Sequence, residues 1–255
     1  MSIEGKNVII TGASAGIGEA CAKLFARNGA NLILTARRIN KLNELADSLR
    51  SAYNVKVHTI EMDVRNFDEV KKKFENLPAE FKTIDVLINN AGKALGVEKI
   101  QDGVLSNWEE MLDTNVKGLL YVSKIIIPML IKQNHGHIIN IGSIAGHEVY
   151  PGGNVYCASK FAVRAISKGM GIDLSGYNIK VTSIDPGMVE TEFSLVRFAG
   201  DEEKAKNVYK GVNPLVGDDI ADIALFAATR PEHVDLREIV VTPTAQSSAT
   251  IVHRK

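Results

Sequence analysis

Short apolar runs alternate with apolar residues at helical spacing along the whole chain, and this alternation restricts the fold more than any other feature. Asn7 to Thr11, Asn31 to Thr35, Lys56 to Glu61, Ile84 to Asn89, His137 to Ser143, Ile179 to Asp185 and Glu238 to Thr242 read as strands. Between them, Ile17, Cys21, Leu24 and Phe25, then Leu42, Leu45, Ala46 and Leu49, then Phe67, Val70 and Phe74, and later Ile220, Ile223, Ala224 and Ala227 mark buried helix stripes. Ser106 or Asn107 is expected to cap a longer helix through Trp108, Met111, Leu112 and Asn115 to about Gln133, distorted at Gly118 and Pro128. Strands that alternate with helices pair in parallel, because each crossover must cover one face of the sheet. The expected fold is therefore α/β, a single doubly wound parallel sheet of seven strands with helices on both faces. With 45% hydrophobic content, 255 residues suffice for one core, so residues 1–255 are expected to form one domain. The longest irregular stretch, Met188 to Pro214, mixes charges with Phe193, Leu195, Val196, Phe198 and Tyr209. It reads equally as a lid over a bound molecule or as a surface insertion.

Charge narrows the partner. Thirty basic and thirty acidic residues balance without a long run of one sign, which argues against nucleic acid or an anionic membrane and for a small molecule. The most apolar run, Leu119 to Ile131, carries Lys124 and Pro128 and is too short to span a bilayer, and no basic-then-apolar leader precedes it. Cytoplasmic residence is the expectation. Cys21 and Cys157 form no CxxC motif, and the six histidines show no metal-ligand spacing with them, so no metal site is expected and both thiols read as reduced.

Chemistry-bearing residues fall where strands end. After the first strand, Gly12-Ala13-Ser14-Ala15-Gly16-Ile17-Gly18 would let backbone amides at a helix N-terminus approach a phosphate, although tight packing alone also explains such glycines. Just beyond the second strand, where an acid would bind a ribose 2′-hydroxyl, the chain has Ala36-Arg37-Arg38. Two guanidinium groups without a carboxylate suit a 2′-phosphate and predict NADP over NAD. Asn89-Asn90-Ala91-Gly92 closes the fourth strand, either against a ligand or as a plain turn. The fifth strand delivers Ser143 to the carboxyl edge, where open α/β sheets bind ligands. Tyr156 and Lys160 lie at i and i+4 of one helix. A positive charge about 4 Å from the phenol, at an effective dielectric of about 20, favours the phenolate by roughly 4 kcal/mol before desolvation is subtracted, so the lysine is expected to lower the tyrosine pKa.

Taken in order, these motifs resemble those of the short-chain dehydrogenases/reductases over essentially the whole chain. The resemblance implies a Rossmann-like fold and reversible hydride transfer between a nicotinamide and a carbinol or carbonyl carbon. It implies a catalytic set of Ser143, Tyr156 and Lys160, with Asn115 as a fourth member positioning a relay water. It implies a cofactor loop of Gly12, Ser14, Ala15, Gly16, Ile17 and Gly18, and an adenine contact at Asp63 and Val64. Further cofactor contacts are implied at Asn90, Ala91 and Gly92, and at the segment of Pro186, Gly187, Val189 and Thr191 that holds the nicotinamide. Arg37 and Arg38 resemble the NADP-using branch. The runs Asn90 to Gly96, Asn134 to Asn140, Gly152 to Tyr156 and Val196 to Asp201 are similar to the branch that oxidises serine, L-allo-threonine and related 3-hydroxy acids. Arg197 is then a candidate for the substrate carboxylate, or a solvated lid arginine. The alternatives are a 3-oxoacyl or pterin carbonyl reductase on the same scaffold, and a non-catalytic NADP-binding sensor. A homotetramer is the family's common assembly, and the tail from Thr244 to Lys255 reads as loose or as reaching a neighbouring subunit.

Overall fold

The computed structural model describes residues 2–255. Seven strands form one parallel sheet: β1 (Asn7–Thr11), β2 (Asn31–Ala36), β3 (Val57–Glu61), β4 (Val86–Asn89), β5 (Gly136–Ile141), β6 (Ile179–Pro186) and, last in the chain, β9 (Glu238–Val241). Their order is β3-β2-β1-β4-β5-β6-β9, so the winding reverses between β1 and β4. The crossovers are α1 (Gly16–Arg27), α2 (Ile39–Tyr53), α3 (Phe67–Glu75), α4 (Leu105–Leu112) running into α5 (Leu119–Gln133), α6 (Asn154–Asp173) and α9 (Gly217–Ala228). Because side chains alternate along a strand, the sheet feeds two cores. Val8, Ile10, Leu32, Leu34 and Ile88 pack with Phe25, Leu42 and Ile220 on one face, whereas Ile9, Ile33, Leu87 and Ile138 pack with Phe74, Val122, Ile126 and Leu130 on the other.

Several boundaries differ from the sequence reading. The fourth strand starts at Val86, since Ile84 and Asp85 lead into it from a turn. Neither Ser106 nor Asn107 caps α4; Val104 is the last extended residue, and its carbonyl accepts the first helical bonds from Asn107 and Trp108. Residues Asp113–Gly118 form a π-helical turn between α4 and α5, and Pro128 sits inside α5. The continuous helix Leu105–Gln133 is long and apolar enough by length and composition to cross a membrane, unlike the shorter run judged from sequence. Its apolar side is taken up by the second core, through Val122, Ile126 and Leu130.

The 188–214 segment is ordered. It contains β7 (Val189–Glu190), α7 (Glu192–Arg197) and α8 (Glu202–Tyr209), and β7 pairs with β8 (Leu215–Val216) as a small parallel ribbon. Thr191 and Asp201 cap the two helices with their side chains. The C-terminal tail folds onto this segment of its own chain and is not the loose end that was one reading of it. The Gln246 side-chain oxygen accepts from Met188 N at 2.8 Å, Arg254 donates to the carbonyls of Val208 and Lys210, and Lys255 N donates to Gly211 O.

The sheet also contains a buried titratable group. His137, opposite Val86 and Lys180 in the ladder, is 3% exposed, and its Nε2 lies 2.7 Å from Thr182 Oγ1. Burial, helped by the Lys180 charge, lowers its pKa from 6.5 to about 3. The unfolded chain therefore binds a proton that the native chain refuses once the pH falls below the unfolded value. Stability should drop on acidification from about pH 6.5 toward 3, by up to about 1.4 kcal/mol per pH unit from this residue. Urea unfolding across that range should show the slope, and His137→Gln should remove this part of it.

Candidate active site

The carboxyl ends of β1, β4, β5 and β6 open into one cavity of about 800 Å³, roofed by α7, α8 and the tail. That size accommodates a ligand and lies at the reversal of strand order, where doubly wound sheets bind dinucleotides. Its floor is built by side-chain ties between crossovers. Thr11 Oγ1 accepts from the backbone N–H groups of Asn90 and Ala91 at 3.0 Å each, and Asn90 Nδ2 donates to the carbonyls of Thr11 and Gly12. Asn89 Nδ2 donates to Asn140 Oδ1 and Ser123 Oγ, locking β4 to β5.

The glycine turn is shaped to approach a ligand. Gly12 has φ +66, and a Cβ there would lie 2.9 Å from Ala91 Cα; Gly16 has φ +57 and lies under Thr191. The N-terminus of α1 carries no side-chain cap, and its first residues, Gly16 and Ile17, line the cavity, so the uncapped helix end there suits an anion. Gly12, Ser14, Ala15, Gly16 and Ile17 line the cavity, as do Arg37, Arg38, Asp63, Val64, Asn90, Ala91, Gly92, Pro186, Gly187, Val189 and Thr191. Gly18 does not. A Cβ on it would lie 2.5 Å from both Asn90 Nδ2 and Gly12 O, so this glycine serves close packing beneath the turn. Asp63 keeps its carboxylate on Arg65; burial works against ionisation, but the hydrogen bonds and charge of Arg65 hold it below the usual carboxylate range. An uncapped helix N-terminus, glycines that a Cβ would clash with, and two arginines at the second strand's end fit a dinucleotide phosphate chain.

Ser143, Tyr156 and Lys160 converge at the inner end of the cavity, each nearly buried. Ser143 lies two residues past β5, where its hydroxyl accepts from Ala145 N at 3.1 Å and donates to Pro186 O at 3.4 Å. Tyr156 and Lys160 project from the first turns of α6. The lysine does not act on the phenol as the spacing suggested. Lys160 Nζ donates to Ile141 O at 2.9 Å and stands 5.9 Å from the Tyr156 ring centroid. Burial, with the Tyr150 phenol adding to it, raises the Tyr156 pKa above its ordinary 10, while a hydrogen bond with Ser143 and the Arg197 charge pull the other way. Burial also lowers the Lys160 pKa to about 8, opposed by the Asp185 carboxylate. Desolvation wins over pairing at both groups.

Asn115 lies in the π-helical turn, outside the cavity lining. Its Oδ1 accepts from Lys93 N at 2.8 Å, and its Nδ2 donates to Lys93 O and to Ser159 Oγ, which in turn donates to the Tyr156 carbonyl. Both amide protons are spent, so the side chain braces the first turn of α6 and is not free to donate to a relay water.

Arg197 reaches the site from α7. Its Nε donates to Gly96 O at 3.1 Å and its Nη1 to Tyr150 Oη at 2.9 Å, with the guanidinium 5.8 Å from the Tyr156 ring centroid. Nη2 is buried and has no hydrogen-bond partner among the described residues. Sequence reasoning missed Tyr150, Glu192, Gln246, Thr250 and Arg254, which also line the cavity. Tyr150-Pro151-Gly152 offered a turn signal for the first; the tail residues carry no local signal, because only the chain's return over the 188–214 segment brings them in. His147, Asp185 and Glu238 form a cluster with metal-ligand geometry, but Arg164 and Lys168 already neutralise Glu238, and His147 Nε2 is bound to Asp185 at 2.8 Å.

A doubly wound sheet with a glycine turn and an uncapped helix end at the strand reversal, and a buried Ser-Tyr-Lys group beside them, has the form of a dinucleotide-binding oxidoreductase. The chain belongs to the short chain dehydrogenase family, whose model matches residues 6–201. It is 43% identical over 254 residues to the NADP-dependent 3-hydroxy acid dehydrogenase of Schizosaccharomyces pombe, covering 99% of this chain and 98% of that protein. It is 45% identical over 249 residues to the enzyme of the same name from Salmonella typhi, covering 97% and 99%. Among solved structures, the closed form of serine dehydrogenase complexed with NADP+ superposes with a TM-score of 0.91 at 43% identity, covering 98% of this chain and all of that one.

Proposed function

We propose that this protein is an NADP-dependent dehydrogenase acting at the hydroxyl-bearing carbon of a small 3-hydroxy acid, with residues 1–255 as one catalytic domain and 188–214 as its lid. The observation that carries the substrate class is Arg197. A buried guanidinium N–H without a partner costs free energy comparable to a lost hydrogen bond, and a carboxylate satisfies it with a charge-assisted one. A neutral carbonyl compound would leave that charge unmatched. The names of the relatives, 3-hydroxy acid dehydrogenase and serine dehydrogenase, support the same class.

In the proposed arrangement the phosphates lie over Gly12 to Ile17, the 2′-phosphate meets Arg38 with Arg37, and Pro186, Gly187, Val189 and Thr191 border the nicotinamide. NADP supplies the hydride chemistry when bound. Tyr156 Oη gives its proton to the substrate oxygen in reduction and, as the phenolate, takes one from the substrate hydroxyl in oxidation. Ser143 hydrogen-bonds the same oxygen. Lys160 contributes positive charge from the Ile141 carbonyl, and Asn115 is a positioning residue that sets α6 through Lys93 and Ser159. Exposed Leu105, Leu112 and Leu120 on the α4–α5 edge, with Phe161 and Ile172 on α6, support a homotetramer. Buried, unpaired thiols at Cys21 and Cys157 support a cytoplasmic setting.

Oxidation of serine, L-allo-threonine and 3-hydroxyisobutyrate, measured side by side with NADP and NAD, tests the reading. Turnover of at least one acid with a clear NADP preference is expected. Preference for acyl thioesters or pterins would replace the substrate class, and tight NADPH binding with no turnover of any carbonyl would replace the enzyme reading.

A further inference from the structure

The second strand ends in two arginines without an acid nearby in sequence, yet folding brings a carboxylate to them from the lid. Glu192 is the first residue of α7, directly after the cap Thr191, whose Cβ packs over Gly16 in the glycine turn. Its two oxygens take one cation each: Oε2 accepts from Arg38 Nη1 at 2.8 Å, and Oε1 from Lys41 Nζ at 3.0 Å. Arg38 itself is turned toward the phosphate-facing loop, with Nε donating to Ser14 Oγ at 3.1 Å. Arg37 does not share this contact; it leans toward Glu110, 3.9 Å away, which Lys93 and Arg65 already hold.

We infer that Glu192 is a built-in competitor for the cations that select a 2′-phosphorylated cofactor, so that the charge on this lid residue sets how strongly the protein prefers NADP(H) over NAD(H). The inference rests on the assignment of Arg38 to the 2′-phosphate. A phosphate monoester draws on the same guanidinium donors as a carboxylate and carries more charge. The two anions therefore repel each other and contend for Arg38 and Lys41. Hydrogen bonds from those two residues hold the Glu192 carboxyl below its ordinary pKa, so it is charged in this contest near neutrality. All three side chains are close to half exposed, so solvent weakens each pair and the carboxylate can be displaced by a side-chain rotation. The backbone need not move, because the Thr191–Gly16 contact and the Thr191 cap hold the start of α7 independently. A cofactor without the 2′-phosphate makes no claim on these cations and leaves Glu192 where it is.

The test is equilibrium binding of NADPH and NADH, followed by cofactor fluorescence, to full-length wild type, Glu192→Gln and Arg38→Ala. Glu192→Gln keeps the size of the side chain and its surface position. It should tighten NADPH by about two- to tenfold, the range set by two half-exposed ion pairs, and leave NADH within about twofold. Unchanged or weaker NADPH binding by Glu192→Gln, with Arg38→Ala weakening NADPH selectively, would overturn the competitor role and leave the cofactor assignment standing. Unchanged NADPH binding by Arg38→Ala would overturn that assignment and the inference with it.

Discussion

Tyr156→Phe should lower kcat by about 10²- to 10⁴-fold in both directions, the span that a positioned general acid or base contributes. NADPH affinity should stay within about threefold. The separation of the two effects follows from what the substitution removes. The ring keeps its edge contact with Phe193, 5.7 Å between centroids, and keeps filling a pocket where Tyr156 is only 8% exposed. The phosphate-facing turn, Arg38 and the Pro186–Gly187 border are untouched. Only the hydroxyl goes, and Ser143 is left with no partner that can deliver a proton across the site. Steady-state rates together with fluorescence titration of NADPH would read both quantities. Activity retained within tenfold of wild type would remove Tyr156 from the proton step.

Arg197→Ala should reduce kcat/KM for 3-hydroxy acids by about 10- to 10³-fold, mainly through KM, with a much smaller change for neutral alcohols. Hydrogen bonds to charged groups contribute about 1.5–3 kcal/mol, and a carboxylate left without its cation in a buried site costs more. Two of the guanidinium nitrogens are anchored, on Gly96 O and Tyr150 Oη, and this anchoring aims the third. Arg197→Lys should recover only part of the loss, because a point charge on a flexible stem cannot hold both anchors and bind a carboxylate in a fixed plane. A secondary fall in kcat is expected for the alanine variant, since Arg197 is one of the two influences that oppose the raised pKa of Tyr156. A KM raised no more than twofold for every 3-hydroxy acid would dismiss the carboxylate role.

The cavity lining was legible in sequence wherever a residue's position depends on its place at the end of a strand or start of a helix. Gly12, Gly16, Arg38, Asn90, Ser143 and Tyr156 are of this kind, because in a doubly wound sheet all such ends meet on one edge. It was not legible where function depends on competition between forces. The i, i+4 spacing put Lys160 near Tyr156 but carried no measure of burial, and burial reversed the expected direction of the tyrosine pKa. Asn115 stood out as a polar residue in an apolar helix, yet nothing local showed that Lys93 and Ser159 would consume its amide.

The alternation of strand and helix periods, by itself, determined the seven-stranded parallel sheet, its two cores and the edge where ligands bind, since these follow from local periodicity and the need to cover both faces. Tertiary structure alone decided what lies opposite that edge. Arg197 next to Tyr156, Glu192 on Arg38 and Lys41, and the tail through Gln246 and Arg254 are contacts between residues far apart in the chain. Their physical basis is the return of the 188–214 segment and the tail over the cavity, which places charges from one part of the chain against charges from another, and no window of sequence contains both partners.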